Sequence, residues 1–173
     1  MLGCMILKSH EELSELRERY RDKKIIFSSE TFDLTHVGHI LFFEDCKKYG
    51  DILVTAIGED SICKKYKGED RPILNEHIRL KTVDSLKPVD YCLIVRAAEL
   101  LPLYPLSISA FPKLFDRLKP NTWVINEDAR DIPMRQELAN QYNIELIVLN
   151  RYCPKEFEDI STTKLIEKIK NIK

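Results

Sequence analysis

No stretch of this 173-residue chain approaches the ~20 consecutive apolar residues that a membrane-spanning helix needs. The opening MLGCMILKSHEELSEL lacks a basic flank, a long apolar stretch and a cleavage site, so no signal peptide is expected there. An excess of one charge is missing too. The formal net charge is -1, which leaves no electrostatic case for a nucleic-acid partner or an acidic membrane surface. No CxxC pair occurs, and the cysteines (Cys4, Cys46, Cys63, Cys92, Cys153) are scattered and odd in number. That argues against a zinc site and a disulfide framework, and for reduced packing thiols in a cytoplasmic protein. No internal repeat or low-complexity linker breaks the chain, so residues 1–173 are expected to form a single domain.

What is present is ordinary globular composition, 44% hydrophobic and 32% charged, arranged in a regular order. Ser9 and Glu12 form an S-x-x-E capping box, after which Leu13, Leu16 and Tyr20 recur at helical spacing. Residues 24–29 (KIIFSS) read as a short buried strand, and Ile40, Leu41, Phe43 and Cys46 as the apolar set of a helix over 37–49 that Gly50 ends. Residues 51–58 (DILVTAIG) form a second buried strand, which completes a βαβ unit with a parallel pair. A helix over 74–86, strands at 91–95 and 122–126 with a helix before the second, a helix over 134–142, a strand at 144–149 and a helix over 162–170 follow. Such alternation predicts an α/β, doubly wound, Rossmann-like fold with a mostly parallel sheet flanked by helices.

The chemistry concentrates where the first strand meets its helix, in SSETFDLTHVGH. In open parallel sheets, ligands bind outside the carboxyl ends of the strands, where this loop falls. His36 and His39 are three apart at a helix start and share one face of the first turn. Gly38 between them removes a side chain where a ligand would approach the backbone. Unpaired N–H groups and the positive end of the helix dipole make such a turn an anion site. Two imidazoles there add donors toward phosphate oxygens on which charge develops.

TFDLTHVGH resembles the signature of the HxGH cytidylyltransferase-like superfamily, which includes glycerol-3-phosphate cytidylyltransferase. The chain is most similar to the stand-alone adenylyltransferase part of ADP-heptose synthase. It shares the leading segment SHEELSELRERYRDKKIIF, the run KKYKGEDRPILNEHIRLKTVDSLKPVDYCLI and the late element DISTTKLIEKI. The resemblance implies a nucleotidyltransferase that joins a nucleoside monophosphate from CTP or ATP to a phosphorylated sugar, polyol or similar small molecule. A substrate phosphate attacks the α-phosphate in line, magnesium held mainly by the triphosphate assists, and pyrophosphate leaves. It also implies roles. Thr31, Phe32 and Gly38 border the nucleotide, and His36 and His39 stabilise the α-phosphate. Lys67 contacts phosphates, with Lys64 and Lys65 close enough to compete. Arg71 and Arg79 match an R-P-x6-R spacing at the substrate site, the first toward substrate phosphate and the second toward structural support. Lys87 and Asp90 fall at the base-edge region, and Ser161, Thr162 and Thr163 on the S-T-T that grips triphosphate oxygens. Without the resemblance, the lysines suit a solvated loop and Ser161 an ordinary N-cap.

Three departures stand out. Glu30 replaces the usual glycine before T-F-D. Its carboxylate either turns away, toward a base such as Arg71 or toward magnesium through water, or faces the phosphates and weakens the site. Asn126-Glu127-Asp128-Ala129 replaces the usual G-G-D-Y or G-D-D-W, with Glu127 a candidate acceptor contact. Residues 97–112 are longer and more apolar than their counterpart, which suits an acceptor-pocket wall or the subunit contact of a homodimer. Two other functions fit the motif: a non-catalytic nucleotide-binding regulator with a degenerate site, and an FAD synthetase-like enzyme with FMN as acceptor. An aminoacyl-tRNA synthetase is disfavoured, for the chain lacks a second lysine-rich signature and room for an anticodon domain.

Overall fold

The computed structural model describes residues 5–9, 11–150, 152–157 and 160–172. Cys4 and parts of the leading segment 1–23 lie outside the described residues. In chain order the elements are β1 (Met5–Ile6), α1 (Glu11–Arg19), β2 (Ile25–Glu30), α2 (Val37–Cys46), β3 (Ile52–Gly58), α3 (Asp60–Lys67) and α4 (Glu76–Asp84). They continue with β4 (Tyr91–Val95), α5 (Phe111–Leu118), β5 (Thr122–Asn126), α6 (Ile132–Gln141), β6 (Glu145–Leu149) and α7 (Thr162–Lys170). The strands pair in parallel throughout, in the order β1-β4-β3-β2-β5-β6. This is a doubly wound α/β fold.

Side-chain alternation along the strands divides the core between two faces. Ile25, Phe27, Val54, Ala56, Leu93, Trp123 and Ile125 pack with Leu13 and Leu16 of α1, with α5 and with Leu138 of α6. The intervening Ile26, Leu53, Ile57, Cys92 and Val124 pack with Phe42, Phe43 and Cys46 of α2 and with Leu80 and Val83 of α4. Burial on both faces is what near-continuous apolar strands require. The first face is anchored by aromatics: Phe27 meets Phe115 edge-on at 5.2 Å, and Trp123 meets Phe111 edge-on at 5.0 Å. Such pairs contribute ~0.5–1.5 kcal/mol each beyond their area.

The strand order creates the crevice. From β2 the chain steps outward through β3 to β4, then returns to place β5 on the other side of β2. The loops after β2 and β5 therefore leave in opposite directions, which defines a switch point. β2 is paired with β3 from Ile25↔Ile52 to Glu30↔Ile57, but with β5 only at Ile26↔Thr122 and Phe27↔Trp123. Beyond that ladder the two strands are clipped by side chains, Asn126 Nδ2 donating to Glu30 Oε1 at 2.9 Å.

Arg79 of α4 is fully buried beneath this end of the sheet. Its Nη1 donates to Thr31 O (2.6 Å), and its Nη2 to Gly58 O (2.8 Å) and Asp60 Oδ1 (2.7 Å). Its Nε donates to Leu74 O (3.0 Å). One guanidinium thus ties the ends of β2 and β3 to the starts of α3 and α4.

Several local expectations are corrected. Residues 60–67 form a helix rather than a solvated loop, because Ile62, Cys63 and Tyr66 lie along one inward side of an otherwise charged segment. Glu12 accepts the N–H of Lys8 at 3.2 Å, one residue before the Ser9 expected to be its capping partner. The helix expected over 37–49 is α-helical only to Cys46 and tightens to a 3-10 turn over Lys47–Tyr49. Gly50 follows with an extended φ of 178°. What it provides is close approach, since a Cβ there would lie 2.9 Å from Lys24 O and from Ile26 Cγ1. Cys46, Cys63 and Cys92 are buried, Cys153 is half-buried, and all four thiols are unbonded to one another. Among the described residues no helix is long and apolar enough to cross a membrane.

Replacing Arg79 by Met strands the Asp60 carboxylate and several backbone carbonyls. Urea unfolding of Arg79→Met is expected to show a loss of ~3–5 kcal/mol, the usual result of breaking a buried pair. Arg79→Lys recovers part of it by keeping the charge. A loss below about 1 kcal/mol would show that these bonds are not holding the strand ends.

Candidate active site

The turn after β2 is built from unusual backbone. Phe32 (φ 52°) and Leu34 (φ 46°) both adopt left-handed conformations that non-glycine residues rarely take. Such strain persists only where surrounding contacts enforce it, and it concentrates at functional sites. Here Asp33, between the two, supplies those contacts. Its buried carboxylate accepts from Arg71 Nε (2.9 Å), Ile73 N (2.9 Å) and Leu74 N (3.0 Å). Its carbonyl accepts the Thr162 hydroxyl at 2.7 Å. The turn is thereby pinned to the loop before α4 and to the first turn of α7.

His36 is the N-cap of α2 and His39 its third residue. His36 Nδ1 accepts Gly38 N–H at 3.1 Å, and His39 Nδ1 accepts His36 N–H at 3.3 Å. With both Nδ1 atoms acting as acceptors, each neutral ring carries its proton on Nε2. The rings lie 4.0 Å apart between centroids. Phe32, buried in the core, backs His39 edge-on at 5.5 Å and meets Phe43 with tilted rings at 4.9 Å. Gly38 lets the His36 ring sit close, because a Cβ there would lie 3.0 Å from His36 Cε1 and push the ring aside by a few tenths of an ångström. The result is a pair of imidazole donors fixed by the backbone at a helix N-terminus.

Two clefts meet at this turn. The first, about 300 Å³, is walled by Thr31, by Ile62, Cys63 and Tyr66 of α3, by Leu100, Leu106 and Ala110, and by Phe111 of α5. Burial pushes the Cys63 thiol up from its ordinary pKa, so it remains a protonated, apolar part of that wall. The second, about 440 Å³, holds His36, Gly38, His39, Arg71, Asn150, Tyr152 and the Ser161-Thr162-Thr163 start of α7. Ser161 is the N-cap of α7, its Oγ accepting Lys164 N–H at 3.2 Å. The N-termini of α2 and α7 therefore both open into the second cleft, and each favours an anion. Glu30, Lys67, Asn126, Asp128 and Arg130 line both clefts and mark the junction.

The site residues expected from sequence separate as follows. Thr31, Gly38, His36, His39, Lys67, Arg71, Ser161, Thr162 and Thr163 line one or both clefts. Phe32 lines neither cleft, its ring being core. Arg79 is buried and bonded within the protein, so it presents nothing to a substrate. Lys87 and Asp90 lie at the opposite end of the sheet. Asp90 there accepts Leu53 N–H and Lys47 Nζ, each at 2.7 Å, at the amino ends of β3 and β4. They take no part in this site, because the chain enters β4 from the far side. Lys64 is on the exposed side of α3, and the exposed Glu127 lines neither cleft. Glu30 does not pair with Arg71, which Asp33 holds; it is bonded to Asn126, with Oε2 3.8 Å from His39 Nε2. Sequence reasoning missed Tyr66, Arg130 and Arg135, and within the 126–129 departure it proposed Glu127 where Asn126 and Asp128 line the clefts. The departure at 126–129 was itself the signal, since Asn126, Asp128 and Ala129 all line the first cleft.

The cytidylyltransferase-like family model matches residues 31–168, from the strained turn into α7. The chain belongs to the cytidylyltransferase-like family of nucleotidyltransferases. Among its relatives, the bifunctional protein HldE of Campylobacter jejuni subsp. doylei is 35% identical over 169 residues, covering 96% of this chain and 32% of that protein. HldE of Helicobacter pylori is 33% identical over 159 residues, 91% of this chain and 30% of that protein. The chain thus spans about a third of the length of the curated relatives it matches. Among solved structures, the lipopolysaccharide core biosynthesis protein of Thermoplasma volcanium superposes with a TM-score of 0.60 at 24% identity, over 77% of this chain and 99% of that one. Pantoate-beta-alanine ligase of Francisella tularensis superposes with a TM-score of 0.69 at 17% identity, over 98% and 79%. These two likenesses establish the shared fold.

Because Asp33 and Thr162 pin the turn from two sides, their loss should register as stability. Asp33→Ala leaves Arg71 and two N–H groups without their buried acceptor and is expected to lower unfolding free energy by ~3–5 kcal/mol. Thr162→Val removes one hydroxyl bond and should cost ~1 kcal/mol. Chemical denaturation checks both. Equal effects from the two variants would contradict the arrangement described.

Proposed function

We propose that this chain transfers a nucleoside monophosphate from ATP or CTP to a phosphorylated small molecule, a sugar or polyol phosphate in the first instance, and releases pyrophosphate. The observation that carries this reading is the junction. Two fixed imidazole donors stand at a helix N-terminus beside a cleft with a second helix N-terminus, and a separate cleft opens onto the same five residues. The second cleft suits the triphosphate and its nucleoside, and the first suits the acceptor.

The chemistry asks for positioning and charge stabilisation rather than a covalent intermediate. An acceptor phosphate oxygen entering from the first cleft forms a bond to the α-phosphorus. The bond from that phosphorus to the bridging oxygen breaks on the opposite side, and pyrophosphate carries the electron pair away. The Nε2–H groups of His36 and His39 donate to the α-phosphate oxygens as charge builds on them. Lys67 and Arg130 bring positive charge to the junction, while the N-termini of α2 and α7 hold the outer phosphates. Magnesium would neutralise the phosphates during transfer. Among the described residues no group of three or more His, Cys, Asp or Glu side chains is placed to hold a metal ion. Its coordination would rest on triphosphate oxygens and water, with the shared carboxylates Glu30 and Asp128 at the junction.

A pyrophosphate-release assay with ATP and CTP against a panel of sugar, polyol and flavin phosphates tests the reading and selects base and acceptor. A chain that binds triphosphate yet releases no pyrophosphate with any acceptor would be a regulator instead. His36→Ala and His39→Ala should each lower kcat by ~10²–10³. Their stability loss should stay near the ~1 kcal/mol of a removed helix cap, with circular dichroism unchanged. Thr163→Ala should weaken triphosphate binding while leaving nucleoside binding as it was. Near-normal turnover in both histidine variants would remove them from the mechanism.

A further inference from the structure

Among the described residues, the buried arginines Arg79 and Arg135 are placed very differently. Arg79 is locked against Asp60 at 2.7 Å and lines neither cleft. Arg135 of α6 is also buried, 7% exposed, yet it forms part of the wall of the first cleft. Its Nε donates to Arg130 O at 2.7 Å and its Nη2 to Ser107 O at 3.2 Å. The guanidinium lies over the Trp123 and Phe111 rings at 5.3 and 5.6 Å. Among the described residues, no carboxylate forms an ion pair with it.

The nearby acids are committed elsewhere. Asp131, one turn earlier on the chain, accepts the Ser107 hydroxyl, and Glu30 is bonded to Asn126. Burial pushes the Arg135 guanidinium down from its ordinary range, opposed by Tyr66, Asp131 and Glu30. A buried charge without an opposite partner is costly. An aromatic floor, two backbone carbonyls and a hydrogen bond with the Tyr66 side chain offset that cost only in part, for none of them carries a full opposite charge at neutral pH. A ligand anion entering the cleft would complete the pairing, with a short charge-assisted bond in a low-dielectric wall.

Resting on the transfer reaction proposed above, we infer that Arg135 reads a second anionic group on the acceptor, distinct from the reacting phosphate. The acceptor class is then a compact phosphomonoester bearing a carboxylate or a second phosphate. The cleft's volume of about 300 Å³ sits at the lower end of small-molecule sites. Arg135 is here a specificity-determining residue. The segment 97–112 matters through the same group, since Ser107 O helps to aim the guanidinium and Leu100, Leu106 and Ala110 form the wall beside it.

The test compares a hexose 1-phosphate, the matching hexuronate 1-phosphate and the hexose 1,6-bisphosphate as acceptors for the full chain. Pyrophosphate release is followed with the better of ATP and CTP, and triphosphate affinity is measured separately by calorimetry. The wild type should favour one of the doubly anionic acceptors over the hexose 1-phosphate by at least about tenfold in kcat/KM. The uronate and bisphosphate arms show which anion is read. Arg135→Met should erase that preference, chiefly through KM, while triphosphate affinity stays; Arg135→Lys should retain part of it. A wild type without such a preference overturns the inference and leaves the transfer reaction standing. So does an Arg135→Met variant that slows all three acceptors equally, since that is the mark of a structural role. Triphosphate binding without turnover on any acceptor would overturn both readings.

Discussion

A positive charge buried at the carboxyl ends of β2 and β3 governs the geometry of everything above it. Arg79 is fully buried, and it reaches Thr31 O, Gly58 O, Asp60 and Leu74 O at once. Strand ends in a parallel sheet carry backbone groups that the ladder no longer satisfies. A planar guanidinium with five donors can satisfy several of them from one position. Because those strand ends carry the HxGH turn and the start of α3, they fix where the histidines and the wall of the first cleft stand. Asp33 continues the pattern one layer higher, with its carboxylate on the loop before α4 and its carbonyl on α7.

Above that base the site is made largely of backbone. The histidines are oriented by peptide N–H groups, and the anion-binding character of the second cleft comes from two helix N-termini. Preorganisation of this kind fits a reaction in which charge shifts between phosphate oxygens and little rearranges in the protein. Glu30 fits the same scheme once the sheet is seen. Its carboxylate is an acceptor for Asn126 where the β2–β5 ladder has ended, so it helps to close the splayed strands at the junction. That gives a structural reason for an acid beside the proposed phosphate site, where charge alone argues against one.

Much of this was legible in the chain of residues. The strands at 91–95 and 122–126 and the helix at 162–170 coincide with β4, β5 and α7. Each is a run whose apolar spacing declares its period locally. The HxGH turn was legible for a similar reason: histidine, glycine and histidine at a strand-to-helix boundary meet a local demand of helix capping and close approach. Helix α3 was hidden because lysines dominate its composition, and only the placement of Ile62, Cys63 and Tyr66 against one wall shows its inward side. β1 was hidden because two residues are too few to show any period.

The rest depended on which strands are neighbours. Nothing local to residues 87–90 says that they lie at the amino end of the sheet, away from the histidines. Nothing local to Asn126, Asp128, Arg130 or Arg135 says that they meet Glu30 and Lys67. Those relations follow from placing β5 beside β2 rather than beside β4, a choice made by long-range burial on both faces of the sheet. Local pattern specified the elements and the HxGH turn, because capping and periodicity act over a few residues. Tertiary packing decided the two clefts and the residues they share, because a crevice exists only where strands distant in sequence are brought side by side and part.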